Sequence, residues 1–429
     1  MTAHFAERSM AETALAREFE AAPVLSRSPR RAAAFSRFQE QGLPTRRNES
    51  WHYTDLRAAM REAAPLAPPP DKPTIEAARQ ILQAGEPLGT GRLVLVNGAV
   101  VAELSQGLPA SVVFRREEPP SADVDDAMVA LNEAMSADAG ELRVFAGAAL
   151  DHPLEIIHLT VGERPQATYS RLAISVEAGA KADLIESFIG ATPSVQRNAT
   201  TLLSLAENAS IKHVVTLGDH AGLHVETQIA ELASRADLNA FALVAGGALT
   251  RRQLFVRLAG EGAKIALGGL ALIDGARRAD TTLQVNHRAV AGTSREFYRA
   301  IVDDDGVGVF QGKIIVEKAA QKTDGAMKSQ AILLSPQAQM NAKPELEIFA
   351  DDVACGHGAT IGSLDPEQLF YLQARGIARA EAESMLLEAF GCEAIDRIED
   401  PRLVEPLRKC LAAWLALGRG KATSMRALR

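Results

Sequence analysis

Apolar and polar positions follow three rhythms along this chain, and the changes of rhythm divide it. Up to about residue 62, apolar side chains recur at three- and four-residue spacing: Ala14, Leu15 and Phe19, then Ala34, Phe35 and Phe38. That spacing lines one face of a helix, and Pro23 and Pro44 punctuate it. A proline-rich joint follows (Pro65, Pro68, Pro69, Pro70, Pro73), then a short helical piece from Thr74 to Ala84. From Arg92 to about Ile361 the period drops to two, as in Ile156-Ile157-His158-Leu159 and Leu172-Ala173-Ile174-Ser175-Val176. This is strand, interrupted by a helix-like insert near Ala127 to Met135. Beyond Asp365 the pattern is helical again. Asp365 reads as an N-cap with Pro366 in the first helical position. Leu369, Phe370, Leu372 and Ile377 form an apolar stripe that Gly376 interrupts. A second helix, from about Arg379 to Phe390, is expected to stop at Gly391. A third, Leu403 to Leu417, presents Leu407, Cys410, Leu411 and Trp414 along one face. The expected regions are an N-terminal helical part (1–90), a β core (91–362) and a C-terminal helical domain (363–429).

The strand zone repeats itself. SVEAGAKADLIES, SLAENASIKHVVT, ELASRADLNAFAL and RLAGEGAKIALGG align on Ala180, Ala209, Ala236 and Ala263, which are 29, 27 and 27 residues apart. Self-similarity at that period signals a solenoid, in which each rung buries its apolar face against its neighbours. Two or three short strands fit in each repeat, joined by Gly, Asn or Asp turns, and no helix of ordinary length fits between them. A leucine-rich horseshoe and a doubly wound sheet are thereby excluded, and propeller blades need about 40 residues. A mainly β fold, a β-helix flanked by helices at both ends, is the expectation.

Composition narrows the function classes. Of 429 residues, 47% are hydrophobic and 23% charged, as in a globular protein with ample core. The net charge of −8 argues against a nucleic-acid binder, which needs a dense basic face. The pairs Arg30-Arg31 and Arg46-Arg47 read as solvated helix faces. The longest apolar stretch, Leu238 to Leu249, is half a membrane span, so no membrane partner is expected. Three scattered cysteines, Cys355, Cys392 and Cys410, fit a reducing compartment and not a disulfide framework. With no signal-peptide pattern at the N-terminus, the expected location is cytoplasmic.

Candidate chemistry concentrates late in the strand zone. Cys355 and His357 are two apart in a strand-like segment, so both leave the same face of the pleat. A thiolate and an imidazole suit iron, zinc, copper or Fe–S ligation, although a closed site needs further ligands, which a partner could supply. The residues alone leave a second reading open, a buried cysteine beside a hydrogen-bonded histidine. Cys392 and Cys410 read as core. His213, His220 and His224 read as scattered surface histidines, and Asp303-Asp304-Asp305-Gly306 as an acidic turn. Asp351-Asp352 could mimic the paired carboxylates of a β-helical carbohydrate-active enzyme, but aromatic residues, the usual sugar platforms, make up only 5% of the chain. The sequence contains no GxxxxGK[ST], GxSxG, HExxH or GxGxxG. The cluster Trp51-His52-Tyr53-Thr54-Asp55-Leu56 reads as a packing knot or docking contact.

Four segments carry a resemblance: RRNESWHYTDL, FYRAIVDDDGVGVFQGKIIVEKAAQKTDG, KPELEIFADDVACGHGATIG and LDPEQLFYLQARGI. In this order they resemble the SufB/SufD family of iron–sulfur cluster assembly proteins, most strongly from Ser294 to Ile377. The CGHGAT segment and the length match the SufD branch better than SufB. The resemblance implies a right-handed β-helix in a complex with SufB and the ATPase SufC. It implies a non-enzymatic subunit that binds no stable cofactor alone and meets iron or a transient iron–sulfur cluster only in the complex. It places Cys355 and His357 at the SufB interface, as candidate ligands. It also implies docking of SufC on the C-terminal helices, with Leu369, Phe370, Leu372, Arg375 and Gly376 as candidate contacts. Two other expectations are a homodimer through the same edge strands when SufB is missing, and a purely structural partner that contributes no ligand.

Overall fold

Alternation in the strand zone resolves into a parallel β-helix of about 7 turns in a computed structural model that describes residues 8–190, 195–218 and 222–416. Each full turn gives one strand to each of two sheets. One sheet stacks Leu154–Thr160, Lys181–Gly190, Ser210–Leu217, Asp237–Val244, Lys264–Ile273, Thr293–Val302, Asp324–Leu333 and Ala354–Gly362. The other stacks Gln166–Val176, Val195–Leu205, Leu223–Leu232, Leu249–Leu258, Arg278–His287, Val307–Val316 and Gln339–Ile348. Antiparallel pieces, Ala99–Val100 and Val112–Arg115, finish the sheets at the first turn. At the last turn no strand among the described residues pairs with Gln339–Ile348 or Ala354–Gly362 on their outer sides.

The repeated alanines mark one corner of each turn. Ala180, Ala209, Ala236 and Ala263 are fully buried. The residue before each (Gly179, Asn208, Arg235, Gly262) has a positive φ between 56° and 68°. A left-handed residue turns the chain, and the alanine methyl then fills the corner of the interior, where a larger group would overpack. Successive corners bond to each other: the Asn208 N–H donates to the Ser234 carbonyl at 3.0 Å, and the Arg235 N–H to Glu261 at 2.9 Å.

Helices cover part of the outside. The N-terminal helices Met10–Ala21 and Pro29–Gln41 share an apolar cluster with helix Ala127–Met135. Arg31 is buried and Arg30 only partly exposed, and they meet Glu118 and Glu133, at 3.3 and 2.8 Å. The aromatic knot is a latch between this region and the β-helix. Buried Trp51 donates its indole N–H to Asp126 at 3.1 Å, and the Arg251 guanidinium lies 3.8 Å from its ring. Arg251 also pairs with Asp280 at 2.6 Å and donates to the Ser50 carbonyl, while the Thr54 hydroxyl donates to Asp280. Both charges are fully buried.

The C-terminal helices Arg379–Ile395 and Pro401–Ala416 pack Leu387, Ile395, Leu407, Leu411 and Trp414 onto Phe241, Leu243, Leu270 and Phe297 of one sheet. Gly391 does not end its helix, which continues to Ile395. Its function is steric: a Cβ there would stand 2.5 Å from Leu411 Cδ2 and 3.2 Å from Leu270 Cδ2. Two tests follow from this packing. Asp280→Ala strands a buried guanidinium and is expected to cost about 3–5 kcal/mol in denaturant unfolding, whereas Arg251→Met with Asp280→Leu costs much less. Gly391→Ala, although a better helix former, is expected to destabilise by about 1–3 kcal/mol through overpacking, read as a lowered thermal midpoint.

Candidate functional site

Parallel in-register pairing stacks inward-facing side chains into columns. Three columns end on the last strand of one sheet: Ser294–Gly325–Cys355, Glu296–Met327–His357 and Tyr298–Ser329–Ala359. Cys355 and His357 therefore share the inward face of the terminal strand, the relation that their spacing predicts. Cys355 is half-buried and His357 exposed. Burial pushes the Cys355 thiol up; the Gly325 N–H opposes that, and Asp324 and Glu296 add to it. The sulfur thus keeps its proton until a metal or a cation displaces it.

Small residues open space behind the pair. A Cβ on Gly325 would meet Ser294 Oγ at 3.3 Å and Cys355 Sγ at 3.5 Å, so the missing side chain leaves a gap that those two groups border. Beneath His357, Met327 closes the interior; its sulfur leans into the place where a Gly312 Cβ would be. On the outward face of the terminal strand, Gly356 and Gly358 have nothing within 4 Å of a would-be Cβ. Pro344 stands beside Gly312 in the other terminal strand, and Ile348, Phe349 and Ile361 are exposed around this end. Among the described residues no group of three or more His, Cys, Asp or Glu could hold a metal ion. The terminal strand can offer two ligands, and further ligands would have to come from elsewhere.

The other candidate residues lie just beyond. Asp365 caps helix Pro366–Ala374 by accepting from the N–H groups of Glu367 and Gln368. Leu369 and Leu372 are half-buried, whereas Phe370 is 72% exposed beside exposed Tyr371. Arg375 donates to the Tyr371 hydroxyl at 2.7 Å, and Gly376 leaves the helix with φ +86°. Asp351 and Asp352 are exposed in the last turn, Asp352 3.4 Å from Lys322. Cys410 is buried and Cys392 half-buried.

Two family models cover nearly all of the chain. The SufBD core domain of the SUF system for FeS cluster assembly matches residues 158–390, and the SufBD protein N-terminal region matches 15–156. The chain belongs to the SufBD family. It is 30% identical to the iron–sulfur cluster assembly protein SufD of Escherichia coli, over 88% of this chain and 90% of that protein. It is 29% identical to an iron–sulfur cluster assembly SufBD family protein of Synechocystis, over 86% and 87% of the two chains. No helix among the described residues is long and apolar enough to cross a membrane.

This SufBD-family β-helix also carries buried charge that the sequence reading missed. His213 and His224 are not surface residues; both face inward and are fully buried, while His220 lies outside the described residues. His158 and His213 each donate from Nε2 to one oxygen of Glu186, at 2.8 and 3.0 Å. Gln228 donates to His213 Nδ1 at 3.0 Å and accepts from Arg252 at 2.8 Å, and Arg252 pairs with Glu226 at 3.1 Å. Burial pushes the Glu186 carboxyl up, but the two imidazole bonds outweigh it and hold it well below the ordinary range. Glu226 goes the other way, to about 7, because burial outweighs Arg252, with Glu186 adding to the rise.

Glu296, one step below Met327 in the His357 column, is pushed up to about 8 by burial, against the pull of Ser294 and Arg295. An unfolded chain releases this proton near 4.5, while the folded chain keeps it to about 8. Its contribution to stability is therefore complete below the unfolded value and is lost as pH rises through that window. Glu296→Gln is expected to remove this loss and to exceed the parent in stability at pH 8 by on the order of a few kcal/mol. Urea midpoints of both proteins at pH 5 and pH 8 check it.

Proposed function

We propose that this chain is a non-catalytic subunit of a Suf iron–sulfur cluster assembly complex. In this reading the unpaired last turn docks SufB, and the C-terminal helices, with Leu369, Phe370, Leu372, Arg375 and Gly376, dock the ATPase SufC. Cys355 and His357 then supply ligands to a nascent cluster at the SufB interface. The observation that carries the proposal is the position of the pair: a thiol and an imidazole on the inward face of a strand whose outer edge pairs with no strand among the described residues. A bare edge takes a further strand, which would bring another chain's side chains next to these two. An incomplete ligand set suits a task in which iron and sulfide are cargo, held transiently and passed on.

Cluster building in this scheme needs no chemistry from the chain beyond ligation and access. Cys355 loses its proton as it binds metal, and the gap over Gly325 gives its sulfur room to turn. His357, exposed at the rim, can reorient at little cost. Co-purification of the chain with SufB and SufC, native against His357→Ala, tests the reading. The expected result is intact assembly with iron and acid-labile sulfide reduced roughly tenfold or more, the scale of loss when a metal site is impaired. Intact assembly with normal cluster content would leave the protein a structural partner that contributes no ligand, and failure to assemble would remove the proposed complex itself.

A further inference from the structure

Buried arginines in this fold meet carboxylates, with one exception. Arg251 has Asp280, Arg252 has Glu226, and Arg171 has Glu133, at 2.6, 3.1 and 4.0 Å. Arg197, 3% exposed, has no acidic partner among the described residues. Its Nη2 donates to the Thr160 hydroxyl at 2.7 Å and, more weakly, to the Ile189 carbonyl at 3.3 Å. Its Nη1 is shielded from solvent and has no hydrogen-bond acceptor among the described residues. Burial alone lowers the guanidinium, to about 9, so it remains charged at neutral pH. A buried cation without a counter-charge is among the costliest features that a folded chain can keep.

The surroundings define what could compensate it. Phe188 is the hub: its ring stacks on His158 at 4.2 Å, meets His224 edge-on at 4.7 Å and lies 5.6 Å from the Arg197 guanidinium. Arg197 and His224 are direct neighbours in the ladder. The same apolar cluster contains Ala199, Val215 and Leu217. An anion here must give up most of its hydration to apolar walls, which favours a large, weakly hydrated monoanion over fluoride or phosphate.

We infer that a small monovalent anion of chloride or bromide type binds against Arg197 Nη1, beside the Phe188 ring. The site lies several turns from Cys355 and His357 and does not depend on the cluster-building role. The full chain crystallised and soaked in sodium bromide tests it by anomalous diffraction. The expected result is a bromide peak within hydrogen-bond reach of Arg197 Nη1, weaker after exchange into fluoride and absent from Arg197→Met, whose side chain is uncharged. Should that variant not fold, Arg197→Lys keeps the charge on a single-pronged head, and its peak is expected to shift or weaken. No peak in the native protein, or an unchanged peak in any folded variant, would overturn the inference.

Discussion

Each inward side chain of the β-helix stands over the equivalent side chain one turn earlier, and this stacking sets the terms for everything else. In-register parallel pairing makes a column of every inward position. An apolar column serves each turn equally. A polar residue in a column needs a partner on the neighbouring turn or across the interior, because solvent does not reach it, and Arg197 Nη1 is a position where the described residues supply none. Glu186 has such partners in His158 below and His213 above. No further turn follows the last one among the described residues, so Cys355 and His357 face inward with Cys355 only half covered and His357 exposed. Buried networks in the middle and an unfinished pair at the end are one rule applied inside the stack and at its limit.

The helices set where that limit lies. Trp51, Arg251 and Asp280 fasten the N-terminal region to one sheet, and helices 379–395 and 401–416 cover the outer face of the other. Arg299 joins this second cover by pairing with Glu393 and standing 4.2 Å over the Phe390 ring. The N-terminal region touches the final strand Gln339–Ile348 through Glu49 and Lys343 at 3.4 Å, but no strand among the described residues pairs with the outer edge of either final strand. The aromatic and cationic contacts therefore act as clamps on the sides of the solenoid and leave one end bare.

How much of this the sequence discloses depends on how local the determinant is. The corner alanines announced the solenoid because one methyl-sized space recurs at fixed distance, and the Cys355–His357 relation followed from a period of two. Asp365 and Pro366 marked a helix start by local hydrogen-bonding rules. Gly391 misled, because what it serves is contact with Leu411 on another helix and not a chain stop. His213 and His224 were placed outside for the same reason. Whether a residue in an alternating strand faces inward depends on its phase relative to Leu184 or Leu238, which only the assembled ladder fixes. Glu296, Gly325 and Cys355 are some thirty residues apart in succession, one turn each, and nothing near any one of them in the chain signals the others.

Pro344 makes the two bare edges unequal. Proline in a sheet is confined to positions where its missing N–H faces away from the ladder, so the outer edge of Gln339–Ile348 lacks a donor near its middle. The edge of Ala354–Gly362, with Gly356 and Gly358 and no proline, presents an unbroken row of donors and acceptors to any strand laid alongside. A visitor pairing by backbone alone would find one edge interrupted and the other continuous. The open end thus has a built-in polarity: it distinguishes left from right before a single side chain has been read.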